Sequence, residues 1–154
     1  MPVPTSVQLV LFGAAGDLAH RKLIPALYDL YREGHLPGDL DIVGVDLKDL
    51  DDGAFREFSC GAAETLGRFF PKDEDAEHWA AFSERLAYVQ GDATDPATFD
   101  RIRERLDALA GDDVPDRVFY LSVAPFLVEA IGTGLDRAGL LDDVEEVEVP
   151  GLPR

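Results

Sequence analysis

A run of strand-forming residues, Val7-Gln8-Leu9-Val10-Leu11-Phe12, is stopped by Gly13, and a helical pattern begins just past Gly16. A strand that feeds a helix through so short a glycine turn points to a fold in which strands are joined by helical crossovers. The rest of the chain repeats the alternation. Leu18 to Tyr31 is expected to be a helix with Leu23, Ala26, Leu27, Leu30 and Tyr31 on one face, kinked or late-starting because Pro25 lies inside it and ended by Gly34. Asp41-Ile42-Val43-Gly44-Val45-Asp46 is a second strand. Helices follow over Asp52 to Phe70 and Glu74 to Leu86, parted by Pro71-Lys72-Asp73, and Ala87 to Gln90 is a third strand.

Thr94-Asp95-Pro96 supplies a cap and a helix-starting proline for a helix running to Ala110, with Phe99, Ile102, Leu106 and Leu109 inward. After the turn Gly111-Asp112-Asp113, Arg117 to Ser122 is a fourth strand, Phe126 to Ala138 a helix ended by Gly139, and Val144 to Val149 a fifth strand. The order is β-α-β-α-β-α-β-α-β. This predicts one doubly wound, Rossmann-like α/β domain with a parallel sheet over residues 1–150, followed by the tail 151–154. The length of 154 residues suits one domain with one full core. Ligands in such sheets bind beyond the carboxyl ends of the strands, at the switch point.

The charge narrows the partners. Asp and Glu total 31 against 14 Lys and Arg, a formal net charge of -17, and the only lysines are Lys22, Lys48 and Lys72. Nucleic acid and anionic membranes both require a basic footprint, which this composition lacks. The acidic surface is read as a solubility device or as adaptation to a high-salt, halophilic cytoplasm, where screening relieves self-repulsion. Cys60 is the single cysteine, and His20, His35 and His78 lack metal-ligand spacing, so no metal site is expected. No signal peptide and no run of ~18 apolar residues is present, which points to a soluble, cytoplasmic protein.

Gly13-Ala14-Ala15-Gly16-Asp17-Leu18 sits between the first strand and the first helix, where unpaired N–H groups and a partial positive charge suit a pyrophosphate. An ordinary strand-to-helix turn needing a glycine is the competing reading. The loop departs from Gly-x-Gly-x-x-Gly, and no Gly-Lys-Ser or Gly-Lys-Thr follows, so nucleoside triphosphate chemistry is disfavoured. Asp46 ends the second strand, where an acid binds adenosine ribose hydroxyls and repels a 2′-phosphate. It lies further from Gly16 than the ~20 residues common in such folds, and it is also one acid among many. Asp92 and Ala93 follow the third strand, and Val123-Ala124-Pro125 the fourth. All would border the same crevice, although Asp92 also reads as a helix cap and Pro125 as a helix start.

The string Phe12-Gly13-Ala14-Ala15-Gly16-Asp17-Leu18-Ala19-His20-Arg21-Lys22-Leu23 resembles the opening of the glucose-6-phosphate dehydrogenase family. So do Pro25-Ala26-Leu27-Tyr28, Leu30 to Gly34, Ile42-Val43-Gly44-Val45, Gly91-Asp92 and Phe119 to Pro125, in the family's order over nearly the whole chain. That family oxidises glucose 6-phosphate to the lactone, passing hydride to NAD or NADP. The resemblance implies that Gly13, Ala14, Ala15, Gly16, Asp17 and Leu18 hold the pyrophosphate. It implies that Asp92, Ala93, Ala124 and Pro125 border the adenine or nicotinamide side. Lys22, otherwise an exposed helix lysine, matches a family lysine that reaches toward the sugar phosphate.

Three departures shape the expectation. Where the family often has arginine after the second strand, this chain has Leu47 behind Asp46, and both favour NAD over NADP. The family's Glu-Lys-Pro is matched by Glu148-Val149-Pro150, without its lysine. The family's second domain, which carries the histidine base and its acidic partner, has no counterpart here. The chain is therefore expected to bind the dinucleotide without turning over the sugar, and to self-associate through apolar residues such as Phe126, Leu127 and Leu152. A non-catalytic sensor or interaction module is a second reading. A short-chain dehydrogenase is a third, disfavoured because no Tyr is followed by Lys at Tyr-x-x-x-Lys spacing.

Overall fold

The computed structural model describes residues 6–66 and 76–141. Four parallel strands, β1 (Ser6–Phe12), β2 (Asp39–Asp46), β3 (Leu86–Gln90) and β4 (Asp116–Leu121), form one sheet in the order β3-β2-β1-β4. Apolar residues occupy both faces of β1 and β2, as a sheet covered on both sides requires. Leu11, Ile42, Leu86 and Tyr88 pack on one face against Ile24, Tyr28, Phe55 and Phe82. Val10, Phe12, Val43, Val45, Ala87 and Val89 pack on the other against Phe99, Ile102, Leu106, Ile131 and Leu135. The order reverses between β1 and β4, which places the switch point beside the glycine turn.

The helices are α1 (Ile24–Arg32), α2 (Asp52–Leu66), α3 (Ala76–Ser83), α4 (Pro96–Ala110) and α5 (Val128–Arg137). Pro25 is accommodated by a π turn over Ala19–Leu23, in which the Ile24 amide bonds back to the Ala19 carbonyl. Of the face expected from periodicity, Leu23, Leu27 and Tyr31 pack against the core while partly buried. Ile24, Pro25 and Tyr28 are buried, whereas Ala26 and Leu30 are exposed. The third expected helix stops at Ser83, and Leu86 opens β3 instead of closing the helix. Leu109 shares the face of Ile102 and Leu106 but is exposed, in the last turn of α4. A short 3-10 turn, Pro125–Leu127, precedes α5. The expected fifth strand Val144 to Val149, the tail and the Pro71-Lys72-Asp73 break lie outside the described residues.

The two sheet edges differ. β3 has its outward groups occupied by side chains: Arg56 Nε donates to the Leu86 carbonyl at 3.1 Å, the Tyr88 amide donates to Asp52 Oδ1 at 2.8 Å, and Arg101 Nη2 donates to the Gln90 carbonyl at 3.0 Å. Arg105 closes the set with an ion pair to the other oxygen of Asp52. No described element pairs with the far side of β4. On the face covered by α1 and α2, its Val118 and Tyr120 remain 49% and 44% exposed.

Candidate functional site

The carboxyl ends of all four strands are tied into one rim. The Gly91 amide, just past β3, donates to the Asp46 carbonyl at 2.9 Å. The Ala15 amide donates to Asp46 Oδ2 at 2.9 Å, joining the exit of β2 to the glycine loop. The Gly13 amide donates to the Val45 carbonyl, and the Ser122 amide, just past β4, donates to the Phe12 carbonyl, both at 2.9 Å. Residues distant in sequence thus converge because each parallel strand delivers its end to the same edge of the sheet.

Two close approaches fix the loop. Gly13 has φ of +84°, and a β-carbon there would lie 2.0 Å from the Ser122 carbonyl oxygen. Only glycine allows both that backbone and that approach. Ala14 is fully buried, and its methyl group packs on Gly44, where an added β-carbon would meet it at 2.7 Å. Ala14 therefore serves the core with its side chain. The Gly16 amide closes the turn onto the Gly13 carbonyl at 3.0 Å.

The first helical bond runs from the His20 amide to the Gly16 carbonyl at 3.1 Å. The amides ahead of it, those of Asp17, Leu18 and Ala19, occupy the first helical turn, where a helix supplies no partner of its own. Such donors, with the helix dipole behind them, suit an anion. Asp17 and Leu18 are exposed beside them, and Asp17 pairs with Arg21 at 2.5 Å. Lys22 stands exposed on the π turn, one turn beyond the loop.

Asp46 also accepts the Leu47 amide on Oδ1 at 2.7 Å, and Leu47 is 66% exposed at the mouth. Asp92 is turned into its own loop, where it accepts the Thr94 amide at 2.8 Å and the Thr94 hydroxyl at 2.7 Å. These bonds hold its carboxyl below the ordinary carboxylate value. Asp92 is thus not the cap of α4; that role falls to Asp95, which accepts the Ala97 amide at 3.0 Å. Ala93 lies in a cleft of ≈ 590 Å³ with Phe99, Phe126 and Glu129, next to exposed Ala124 and Pro125, and Pro125 opens the 3-10 turn. A second cleft of ≈ 720 Å³ brings Leu47 and Asp92 together with Arg101 and Arg105.

The rim gathers the glycine loop, Asp46, Leu47 and the residues after β3 and β4, and leaves Lys22 one turn out. Sequence reasoning missed the Ser122 carbonyl, the Thr94 clamp and Arg101. Ser122 had a signal, since Gly13 and Ser122 end strands that flank the switch point. Thr94 and Arg101 had none. Among the described residues no group of three His, Cys, Asp or Glu is placed to hold a metal, and no helix is long and apolar enough to cross a membrane.

Comparison with known proteins agrees with this geometry. The family described as "Glucose-6-phosphate dehydrogenase, NAD binding domain" matches residues 10–149. The glucose-6-phosphate 1-dehydrogenase of Zymomonas mobilis is 38% identical over 135 residues, covering 86% of this chain and 26% of that protein. A chloroplastic protein of Arabidopsis thaliana, named as an inactive glucose-6-phosphate 1-dehydrogenase 4, is 35% identical over 118 residues, covering 77% of this chain and 19% of its own. The crystal structure of glucose-6-phosphate 1-dehydrogenase from Mycobacterium avium superposes with a TM-score of 0.76 at 30% identity, over 89% of this chain and 28% of that one. The chain thus spans about a quarter of the length of the relatives it matches. With its glycine turn at the switch point of a parallel sheet and a family match along nearly its whole length, the chain belongs to the glucose-6-phosphate dehydrogenase family, as that family's NAD-binding domain.

Proposed function

We propose that this domain binds a nicotinamide dinucleotide across the rim of strand ends, with NAD favoured over NADP. The observation that carries the reading is the rim itself, in which four strand exits are bonded together around a glycine turn at the switch point. The fit to a dinucleotide rests on two features: a turn at Gly13 in which a β-carbon would collide with Ser122, and the amides of Asp17 and Leu18 in the first helical turn, ahead of the first helical bond. In this reading Gly13, Ala14, Ala15, Gly16, Asp17 and Leu18 hold the pyrophosphate, chiefly through backbone. Asp92, Ala93, Ala124 and Pro125 border the bases. Asp46 receives the adenosine ribose hydroxyls, and its charge together with apolar Leu47 disfavours a 2′-phosphate.

The bound nicotinamide ring would accept hydride from the sugar. Such a transfer also requires a base within reach of the sugar hydroxyl and a pocket that orients the substrate. In the whole protein, glucose 6-phosphate oxidation would combine this domain with the remaining length that the relatives possess, and Lys22 would face the sugar phosphate. The domain by itself is expected to bind cofactor without turnover. Calorimetric titration with NAD and NADP tests the reading. Tighter NAD binding supports it, tighter NADP binding removes the Asp46 and Leu47 argument, and no binding of either removes the function. Robust reduction of either cofactor by the pure domain with glucose 6-phosphate would refute the division of labour.

A second reading, a non-catalytic sensor or interaction module, is favoured by the Arabidopsis relative whose name marks it inactive. It predicts cofactor binding together with a defined partner and no turnover in any longer form.

A further inference from the structure

Four consecutive amides of the glycine turn are already spoken for. Those of Gly13 and Ala14 both go to the Val45 carbonyl, that of Gly16 goes to the Gly13 carbonyl, and that of Ala15 goes to a side chain, Asp46 Oδ2. The Ala15 bond is the one in this set that a point substitution can remove. The same carboxylate is held on its other oxygen by the Leu47 amide at 2.7 Å. An ionised carboxylate offers about four acceptor positions. The two backbone donors therefore fix the orientation of Asp46 and use one position on each oxygen.

We infer that Asp46 is a positioning residue for the phosphate half of the site as well as a reader of the ribose. Its bond to Ala15 sets the conformation of the glycine turn before any ligand arrives, and so aims the amides of Asp17 and Leu18. This inference rests on the dinucleotide reading above. The physical gain is preorganisation: a turn already held in its binding shape loses less freedom on association. A carboxylate pinned by two amides likewise presents its open lone pairs without reorienting. Asp46 thereby couples the two halves of the ligand, and its substitution should be felt at a ligand portion it never touches.

The test uses the full chain as wild type, Asp46→Asn and Asp46→Ala. Both variants remove the negative charge, but asparagine keeps an oxygen able to accept from Ala15. Hydrogen exchange of the Ala15 amide is measured by NMR without ligand, and binding of NAD, adenosine and inorganic pyrophosphate is followed by titration. The expected result is Ala15 protection in wild type and Asp46→Asn, with exchange about tenfold faster in Asp46→Ala, the size of one hydrogen bond. Pyrophosphate should bind Asp46→Ala several-fold more weakly than Asp46→Asn, although neither variant carries the repelling charge. A residue that reads only ribose would change adenosine binding and leave pyrophosphate equal in the two variants.

Unchanged Ala15 exchange in Asp46→Ala, or equal pyrophosphate affinity, overturns the inference while leaving dinucleotide binding intact. Failure of the wild type to bind NAD, NADP and pyrophosphate removes the functional reading, and the inference with it. Thermal unfolding checks that the variants fold. If Asp46→Ala does not, Asp46→Ser, whose hydroxyl is too short to reach Ala15, replaces it.

Discussion

The carbonyl oxygen of Ser122 lies 2.0 Å from the point where a β-carbon on Gly13 would stand. The contact joins the ends of β1 and β4 across the switch point, and it cannot relax sideways because the Ser122 amide is itself bonded to Phe12. Gly13→Ala should cost about 3 kcal/mol or more, from the left-handed backbone together with the backbone collision. Urea denaturation would read this as a lower midpoint at unchanged slope. NAD affinity should fall at least tenfold, since the turn must open. Gly16→Ala, whose β-carbon would be 3.1 Å from the Gly13 carbonyl, should be milder. Equal losses at the two positions would contradict the assignment.

The guard on the edge of β3 makes a second prediction. Asp52→Ala strands both the Tyr88 amide and the Arg105 guanidinium. Leaving such groups unpaired costs about 1–3 kcal/mol. Chemical unfolding should show a loss of that order. Light scattering should show more aggregation than an equally destabilised core variant such as Ile102→Val, because an uncovered strand edge templates pairing.

Two carboxyls should bend the pH profile in opposite senses. The Thr94 bonds keep Asp92 below its ordinary value of 3.8 in the fold. Its stabilisation is therefore complete above 3.8 and is lost as pH falls through the lower folded value. Asp41 is raised above 3.8, chiefly by burial and further by the charge of Asp39, with Gln8 and Arg85 only partly offsetting this. Its ionised form is a penalty present above the raised value, and the penalty disappears on acidification. Asp41→Asn should therefore stabilise at pH 7, with a gain that shrinks as pH falls through the raised value and is gone below 3.8. Asp92→Asn should destabilise at pH 7 and converge with wild type in acid. Urea midpoints between pH 2.5 and 7 check both signs.

Much of this was readable in the residues. The alternation of Val7–Phe12, Asp41–Asp46 and Arg117–Ser122 with helical stretches specified the parallel sheet, because apolar residues on both strand faces require covering helices. The glycine turn was readable because its context, strand before and helix after, carries the meaning. The inward face of the first helix was readable only in part: Leu23, Leu27 and Tyr31 pack on the core, but the most buried places go to Ile24, Pro25 and Tyr28. The Asp46–Ala15 bond and the Thr94 clamp were invisible. Each depends on a side-chain rotamer within a loop, and the first depends on the pairing of β1 with β2.

With a formal charge of -17, salt should matter as much as sequence. Raising ionic strength from 0.1 M to 1 M shortens the screening length from ~10 Å to ~3 Å. The melting temperature should rise by several degrees in KCl as self-repulsion fades. Size-exclusion chromatography over the same series should show self-association emerging at high salt through Val118, Tyr120 and Phe126, the last 80% exposed. Tyr120→Glu should abolish it. A strict monomer at every salt, with no thermal gain, would count against both expectations.

The unequal edges give the sheet a direction of growth. At β3 the terminus is blocked, since Arg56 and Arg101 already occupy the Leu86 and Gln90 carbonyls and Asp52 the Tyr88 amide. At β4 the terminus is living, as at the active end of a polymer, since no described element pairs with its outer side. Among the described strands, a further strand from a longer chain, a second copy or an engineered graft finds its place beside β4. A designer wishing to append β-structure to this domain should build from Asp116–Leu121 and leave Leu86–Gln90 alone.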